Sequence, residues 1–128
     1  MEYIKTDKAP KAVGPYSQGT AVSSDKKLIF SSGQLPIDPA TSELITDSIE
    51  KATLQSLKNN LAVIEQAGGS KETILKVNIF LKDMADFQKV NAVYEEFFGD
   101  VKPARSCVEV ARLPKDAPIE IESISHAK

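Results

Sequence analysis

Hydrophobic positions recur along this chain with two different periods, and the changes of period divide it into elements. From about Asp47 to Ala67 the apolar residues Ile49, Ala52, Leu57, Leu61 and Ile64 fall on one face of a 3.6-residue helix, while Glu50, Lys51, Lys58 and Glu65 occupy the rest. Asp47 or Ser48 is suited to begin that helix and Gly68-Gly69 to stop it. Ile74 to Leu81 then alternates, with Val77, Ile79 and Leu81 on one face and Lys76, Asn78 and Phe80 on the other, which predicts a strand. Asp83 or Asp86 can cap a second helix whose buried stripe is Phe87, Val90, Tyr94 and Phe97 or Phe98, ending at Gly99.

The flanks read as strands. Tyr16 to Ser23 and Leu28 to Ser32, joined by the polar residues Ser24-Asp25-Lys26-Lys27, predict a hairpin, and Tyr3-Ile4 is a possible extra strand before it. Gly33 to Thr41 is a loop marked by Pro36 and Asp38-Pro39. Near the C-terminus Ser106 to Ala111 is fenced by Pro103 and Pro114, the turn Leu113-Pro114-Lys115-Asp116 follows, and Ile119 to Ile124 is the last strand. This order predicts a two-layer α+β domain, 1–128, with a mainly antiparallel sheet and both helices on one face. Val108, Val110, Ile119 and Ile121 cannot all lie under two helices, so the other sheet face is expected to be covered by a second copy of the chain.

Composition narrows the function classes. The chain has 128 residues, a formal net charge of −2 and no cluster of Lys and Arg, which argues against a nucleic-acid surface. No apolar stretch is long enough for a membrane span, and the start, Met1-Glu2-Tyr3-Ile4-Lys5, turns polar too soon for a signal peptide. Cys107 is the single cysteine, which fits a reducing, cytoplasmic compartment. His126 is the single histidine and lies in the polar tail, where it reads as a solvated residue and not as part of a triad or zinc cluster. Gly14 and Gly19 have the spacing that opens a phosphate-binding loop, but Thr20-Ala21 stands where Lys-Ser or Lys-Thr is required.

Few groups remain to carry chemistry. Arg105 stands at the mouth of a predicted strand, where a planar guanidinium suits a carboxylate or phosphate and otherwise makes a structural ion pair. Cys107 shares its strand face and is either a packing residue or a thiol made acidic by that cation. Glu120 and Glu122 share one face of the last strand, roughly 6–7 Å apart at two residues' rise. Exposed, they are a solvated edge; buried near Arg105, one of them is the plausible proton-transfer group. Tyr16 after Gly14-Pro15, Ser32-Gly33 at a strand end and Asn91 beside the helix stripe are weaker candidates, each with an ordinary structural explanation.

Taken together, Gly14-Pro15-Tyr16-Ser17-Gln18, Ser32-Gly33-Gln34-Leu35-Pro36 with Asp38-Pro39-Ala40-Thr41, Val90-Asn91-Ala92-Val93-Tyr94 with Phe97-Phe98, the Pro103 to Pro114 stretch and Ile119-Glu120-Ile121-Glu122 resemble the Rid family of reactive-intermediate deaminases, closest to its RidA group. The resemblance implies a chorismate-mutase-like fold and a homotrimer with active sites between subunits. It implies hydrolysis of enamines and imines such as 2-aminoacrylate and 2-aminocrotonate to 2-keto acids and ammonia, with no metal or organic cofactor. The residues it carries over are Arg105, Cys107 and Glu120, with Tyr16, Ser32, Gly33, Phe87 and Asn91 lining the cleft. Two departures stand out: Ser42 replaces the glycine that often follows Ala-Thr, and Pro118 precedes the last strand.

The residue chemistry agrees, with Arg105 holding a substrate carboxylate and Glu120 managing a proton. Two other classes remain: a regulatory trimer that binds 2-keto acids without turning them over, and RNA cleavage, which a weakly acidic chain without a basic run does not favour.

Overall fold

The computed structural model describes residues 1–128. Eight elements follow one another: β1 (Glu2–Ile4), β2 (Gly19–Ala21), β3 (Leu28–Phe30), α1 (Ile49–Gln66), β4 (Ile74–Leu81), α2 (Phe87–Phe98), β5 (Ala104–Glu109) and β6 (Ile119–His126). The main sheet has strand order β3-β6-β4-β5, and β1 and β2 form a separate two-stranded ribbon. β6 runs antiparallel to both β3 and β4, while β4 and β5 are parallel and joined through α2. The domain is thus α+β with a mixed, mainly antiparallel sheet, as the element order predicts.

Both helices pack on one face. Ala52, Leu57 and Ile64 of α1 and Val90, Tyr94 and Phe98 of α2 meet Val77, Ile79 and Leu81 of β4 and Ile119 and Ile121 of β6 in one core cluster. Ser48 caps α1, its hydroxyl accepting from the Lys51 amide at 3.1 Å, and Gly68 ends it with φ 95°. The helix also turns polar residues inward: Thr53, Ser56 and Asn60 are buried beside its apolar stripe. The opposite sheet face has no covering element. Phe30 is 68% exposed there, with Leu28 and Val108 each 46% exposed.

Three expectations change. The Tyr16–Ser23 and Leu28–Ser32 strands do not form a hairpin. β2 pairs with β1, whereas β3 pairs with β6. The cause is a polar knot beyond the turn. The Ser31 amide donates to the Ser123 carbonyl at 3.0 Å, and Asn60 holds the Ser31 and Ser123 hydroxyls at 2.6 and 2.8 Å, drawing β3 onto β6 and away from its sequence neighbour. The strand expected at Ser106–Ala111 begins two residues earlier and forms the edge of the sheet, so Arg105 lies within it and not at its mouth. As expected, the apolar strand residues do not all lie under the helices: Ile119 and Ile121 face them and are fully buried, whereas Val108 lies on the open face. His126 is not solvated. It closes β6 at 6% exposure, its Nδ1 2.7 Å from the Ala127 carbonyl oxygen.

Left-handed backbone marks two turns. Lys115 and Asp116 of the predicted Leu113–Asp116 turn have φ 58° and 54°, and Ser42 has φ 61°. An L-residue there crowds its own carbonyl, which glycine avoids. Ser42→Gly is therefore expected to raise the unfolding free energy by about 0.5–1 kcal/mol, the relief of a left-handed side chain less glycine's larger entropy loss. Urea denaturation checks this; an unchanged or lower midpoint contradicts it.

Candidate active site

Arg105 projects from the edge strand toward α2. Phe87, Asn91 and Tyr94 lie three or four residues apart on that helix, so one helix face delivers all three to the guanidinium. Asn91 Oδ1 accepts from Arg105 Nη1 at 2.6 Å. The guanidinium carbon stands 4.9 Å from the Tyr94 ring centre, 5.4 Å from that of Tyr16 and 5.8 Å from that of Phe87. Such contacts favour a cation by about 0.5–2 kcal/mol each while leaving its charge uncancelled. No carboxylate pairs with it. The two ion pairs of the chain are Lys51–Asp47 and Lys82–Asp116, both remote in sequence and exposed. A structural ion pair therefore does not explain Arg105.

The loop carrying Tyr16 closes the outer side. Ser17 donates its amide to the Pro103 carbonyl at 3.3 Å, tying the loop to the segment just before β5. A side chain at Gly14 would stand 3.1 Å from the Tyr16 ring and 3.7 Å from Arg105 Nη2, so glycine lets the backbone approach both. Behind Tyr16 a cavity of about 580 Å³ opens between this loop and the β1 strand. Cys107, two residues along β5 and half-buried, shares the Arg105 face as expected. Burial raises its thiol pKa above the ordinary value and outweighs the lowering effect of Arg105, so it is a neutral packing residue and not an activated nucleophile.

Glu120 belongs to a different place. It pairs with Phe80 across the sheet, whereas Arg105 pairs with Val77, an odd number of residues away on the same strand, so the two side chains leave opposite faces. Their backbones are separated by about 10 Å along the strands and about 10 Å across two strand spacings. Gly33 lies against Glu120 instead: a side chain there would overlap the Glu120 carboxylate. Ser32, next to it, is exposed. Glu122 shares the open face and accepts from Asn78 Nδ2 at 3.1 Å. The loop bearing Ser32 and Gly33 is fixed on both flanks, by the Ser31–Asn60–Ser123 knot and by Asn59, whose amide donates to the carbonyls of Leu35 and Ile37 at 3.1 and 2.8 Å. A cavity of about 440 Å³ lies beside this loop, between Gly33 and Asn59.

One chain thus holds two groups: Arg105 with Tyr16, Phe87, Asn91 and Cys107 on the helix side, and Glu120 with Ser32 and Gly33 on the open side. They do not meet within it. Tyr94 and Gly14 were not among the residues expected at the site. Tyr94 reads as core because its spacing matches the helix stripe, and only its register one turn beyond Asn91 hints at more. No three His, Cys, Asp or Glu side chains cluster as a metal site would require.

A model of the family described as endoribonuclease L-PSP matches residues 6–127. The chain belongs to that family. Within it, the Salmonella typhimurium protein named 2-iminobutanoate/2-iminopropanoate deaminase is 49% identical over 125 residues, covering 95% of this chain and 94% of that one. A RutC family protein of Pyrococcus abyssi is likewise 49% identical over 125 residues, covering 98% and 96%. The crystal structure of Escherichia coli TdcF with bound serine superposes with a TM-score of 0.76 at 40% identity and covers both chains fully. These L-PSP relatives agree with the Rid resemblance read from the motifs.

Two measurements check the geometry of this L-PSP chain. Gly33→Ala is expected to cost about 1–3 kcal/mol through overpacking against Glu120, and to cost less than about 0.5 kcal/mol when Glu120 is alanine. An equal cost in both backgrounds would show that the carboxylate is not what glycine accommodates. For Cys107, the raised pKa leaves less thiolate at any given pH, so its alkylation by iodoacetamide is expected to be slower at pH 8 than that of a free cysteine, with the rate still rising above pH 9. A fast reaction near neutrality would contradict the neutral thiol.

Proposed function

We propose that this protein hydrolyses reactive enamines and imines of 2-keto acids, such as 2-aminoacrylate, 2-aminocrotonate and their imine tautomers, to the keto acid and ammonia. The observation that carries this is the Arg105 guanidinium, surrounded by three rings and one amide oxygen and left without an anion. A substrate carboxylate pairs with that guanidinium, a charge-assisted contact contributing on the order of 1.5–3 kcal/mol. The deaminase names of its half-identical relatives support the same reading.

The chemistry needs a second group. The enamine takes up a proton at carbon and gives one up at nitrogen to form the imine. Water adds to the imine carbon with one of its protons passing to nitrogen, giving a carbinolamine. The amine then takes a second proton while the hydroxyl gives one up, the oxygen electrons form the keto C=O, and the carbon–nitrogen bond breaks with its electron pair leaving on ammonia. Glu120 is the chain's candidate to take the proton from water and return it to nitrogen, with the Gly33 and Cys107 backbones orienting the reactants and Tyr16 covering them. Because Glu120 and Arg105 leave opposite sheet faces, the site is proposed to form where the open face of one copy meets the Arg105 edge of another, in a homotrimer with the chorismate-mutase-like arrangement. Phe30, Leu28 and Val108 on the open face supply the apolar area for that contact. The proposed setting is the cytoplasm.

A second reading has its own support: a structural relative was solved with bound serine, itself a small carboxylate, and the Arg105 guanidinium of this chain is suited to capture of such a ligand without turnover. RNA cleavage has less. The chain is weakly acidic and has no basic run to hold an RNA backbone, and its one imidazole, His126, is buried at the end of β6.

Keto-acid release in the presence of a threonine dehydratase separates these. The protein is expected to shorten the lifetime of enzymatically generated 2-aminoacrylate, and Arg105→Ala or Arg105→Lys to remove the acceleration while leaving the fold intact. Undiminished release by the alanine variant would refute the clamp. Glu120→Gln is expected to keep keto-acid binding and to slow turnover by about 10²–10⁴-fold. Full turnover in that variant would leave only the binding explanation.

A further inference from the structure

Arg105 has a support that the reaction scheme does not use. Tyr94 is fully buried, and its ring centre is the nearest of the three to the guanidinium carbon, at 4.9 Å. The ring is itself held: Phe98 packs against it at 4.6 Å, tilted by 45°, and Phe97 meets Phe98 edge-on at 5.2 Å. One helical turn earlier, Asn91 fixes Nη1. Ring and amide belong to the same rigid helix face, and together they define both the height of the guanidinium and its rotation. The other edge, Nη2, is left facing Gly14 and Tyr16.

The phenol makes no hydrogen bond in its burial. Desolvation raises its pKa well above the ordinary tyrosine value, against the smaller lowering effect of Arg105, so no phenolate forms to occupy the cation. A carboxylate in this position would neutralise Arg105, and an aliphatic residue would let it tilt. An aromatic ring does neither.

We propose that Tyr94 is the positioning residue of Arg105: its ring face, braced by Phe98, holds the guanidinium at the angle at which its free edge grips a carboxylate. This rests on Arg105 being the carboxylate clamp and adds a residue that touches no substrate.

The test compares Tyr94→Leu, Tyr94→Met and Tyr94→Phe in the full-length protein, each checked for folding by circular dichroism. Titration calorimetry with 2-ketobutyrate, which needs no turnover, reads the grip. KM and kcat in the dehydratase-coupled assay read it during the reaction, and the Arg105 Nε–H resonance, assigned with Arg105→Lys, reads the guanidinium with no ligand at all. Leu and Met are expected to weaken 2-ketobutyrate binding and raise KM on the order of tenfold, with kcat changed much less, and to shift and broaden the resonance. Phenylalanine, which keeps the ring, is expected to restore affinity and resonance together. Met, nearer tyrosine in length, carries the result if Leu does not fold. Unchanged affinity and resonance in a folded Leu or Met variant would overturn the proposal, and so would a Phe variant as weak as Leu, since the hydroxyl and not the ring would then matter. If the parent protein fails to release keto acid faster, the deaminase reading falls, while the resonance still decides the role of Tyr94.

Discussion

A guanidinium held half-buried without a counter-charge is the constraint on which the rest of this molecule turns. Burying a cation is costly unless something meets it, and proteins ordinarily answer with a carboxylate. Here the chain answers with aromatic faces and a single amide oxygen, which hold the ion in place but cancel none of its charge. With 18 acidic residues available, the absence of any from Arg105 is a matter of placement. The helix that passes closest offers Phe87, Asn91 and Tyr94 to it and turns Glu95 and Glu96 to solvent.

The fold explains why this arrangement is stable. α2 is the crossover between the parallel strands β4 and β5, so the helix that supplies the cage and the strand that supplies the arginine belong to one covalent unit and share a core with Leu81 and Ile79. Toward the β3 edge of the sheet a second device does similar work for backbone: from the covered face Asn60 on α1 gathers Ser31 and Ser123, and the Ser32-Gly33 loop follows from that knot, with Gly33 against Glu120. Each face carries one of the two residue groups, and both are anchored from the covered face, one by α2 and the other by α1.

Much of this was legible in the sequence, and the reason is periodicity. Both helices, the alternating strand Ile74–Leu81 and the last strand follow from apolar spacing, because each has one face in the core and one outside. The hairpin expectation failed where local pattern and long-range pairing disagree. A turn between two strands looks the same whether they pair with each other or not, and what drew Leu28–Phe30 to β6 was buried hydrogen bonding by Asn60, a residue whose burial no apolar pattern signals. His126 was misread for a related reason: polar residues in a tail look solvated, but β6 extends through them. Arg105, Tyr16, Phe87, Asn91 and Cys107 were expected together, and the structure gathers them. That Glu120 leaves the opposite face could not be read from one strand's alternation, since the faces of two strands are related only by register. Tyr94 hid in plain pattern, as a residue that serves the core and the cage at once.

A crystal structure of the assembled protein with 2-ketobutyrate bound tests the central claim most directly. The carboxylate should lie within about 2.7–2.9 Å of two Arg105 nitrogens, with the Asn91 contact kept and Glu120 of another copy facing the keto carbon. A keto acid bound elsewhere, with Arg105 still unengaged or paired with a protein carboxylate in the assembly, would contradict it.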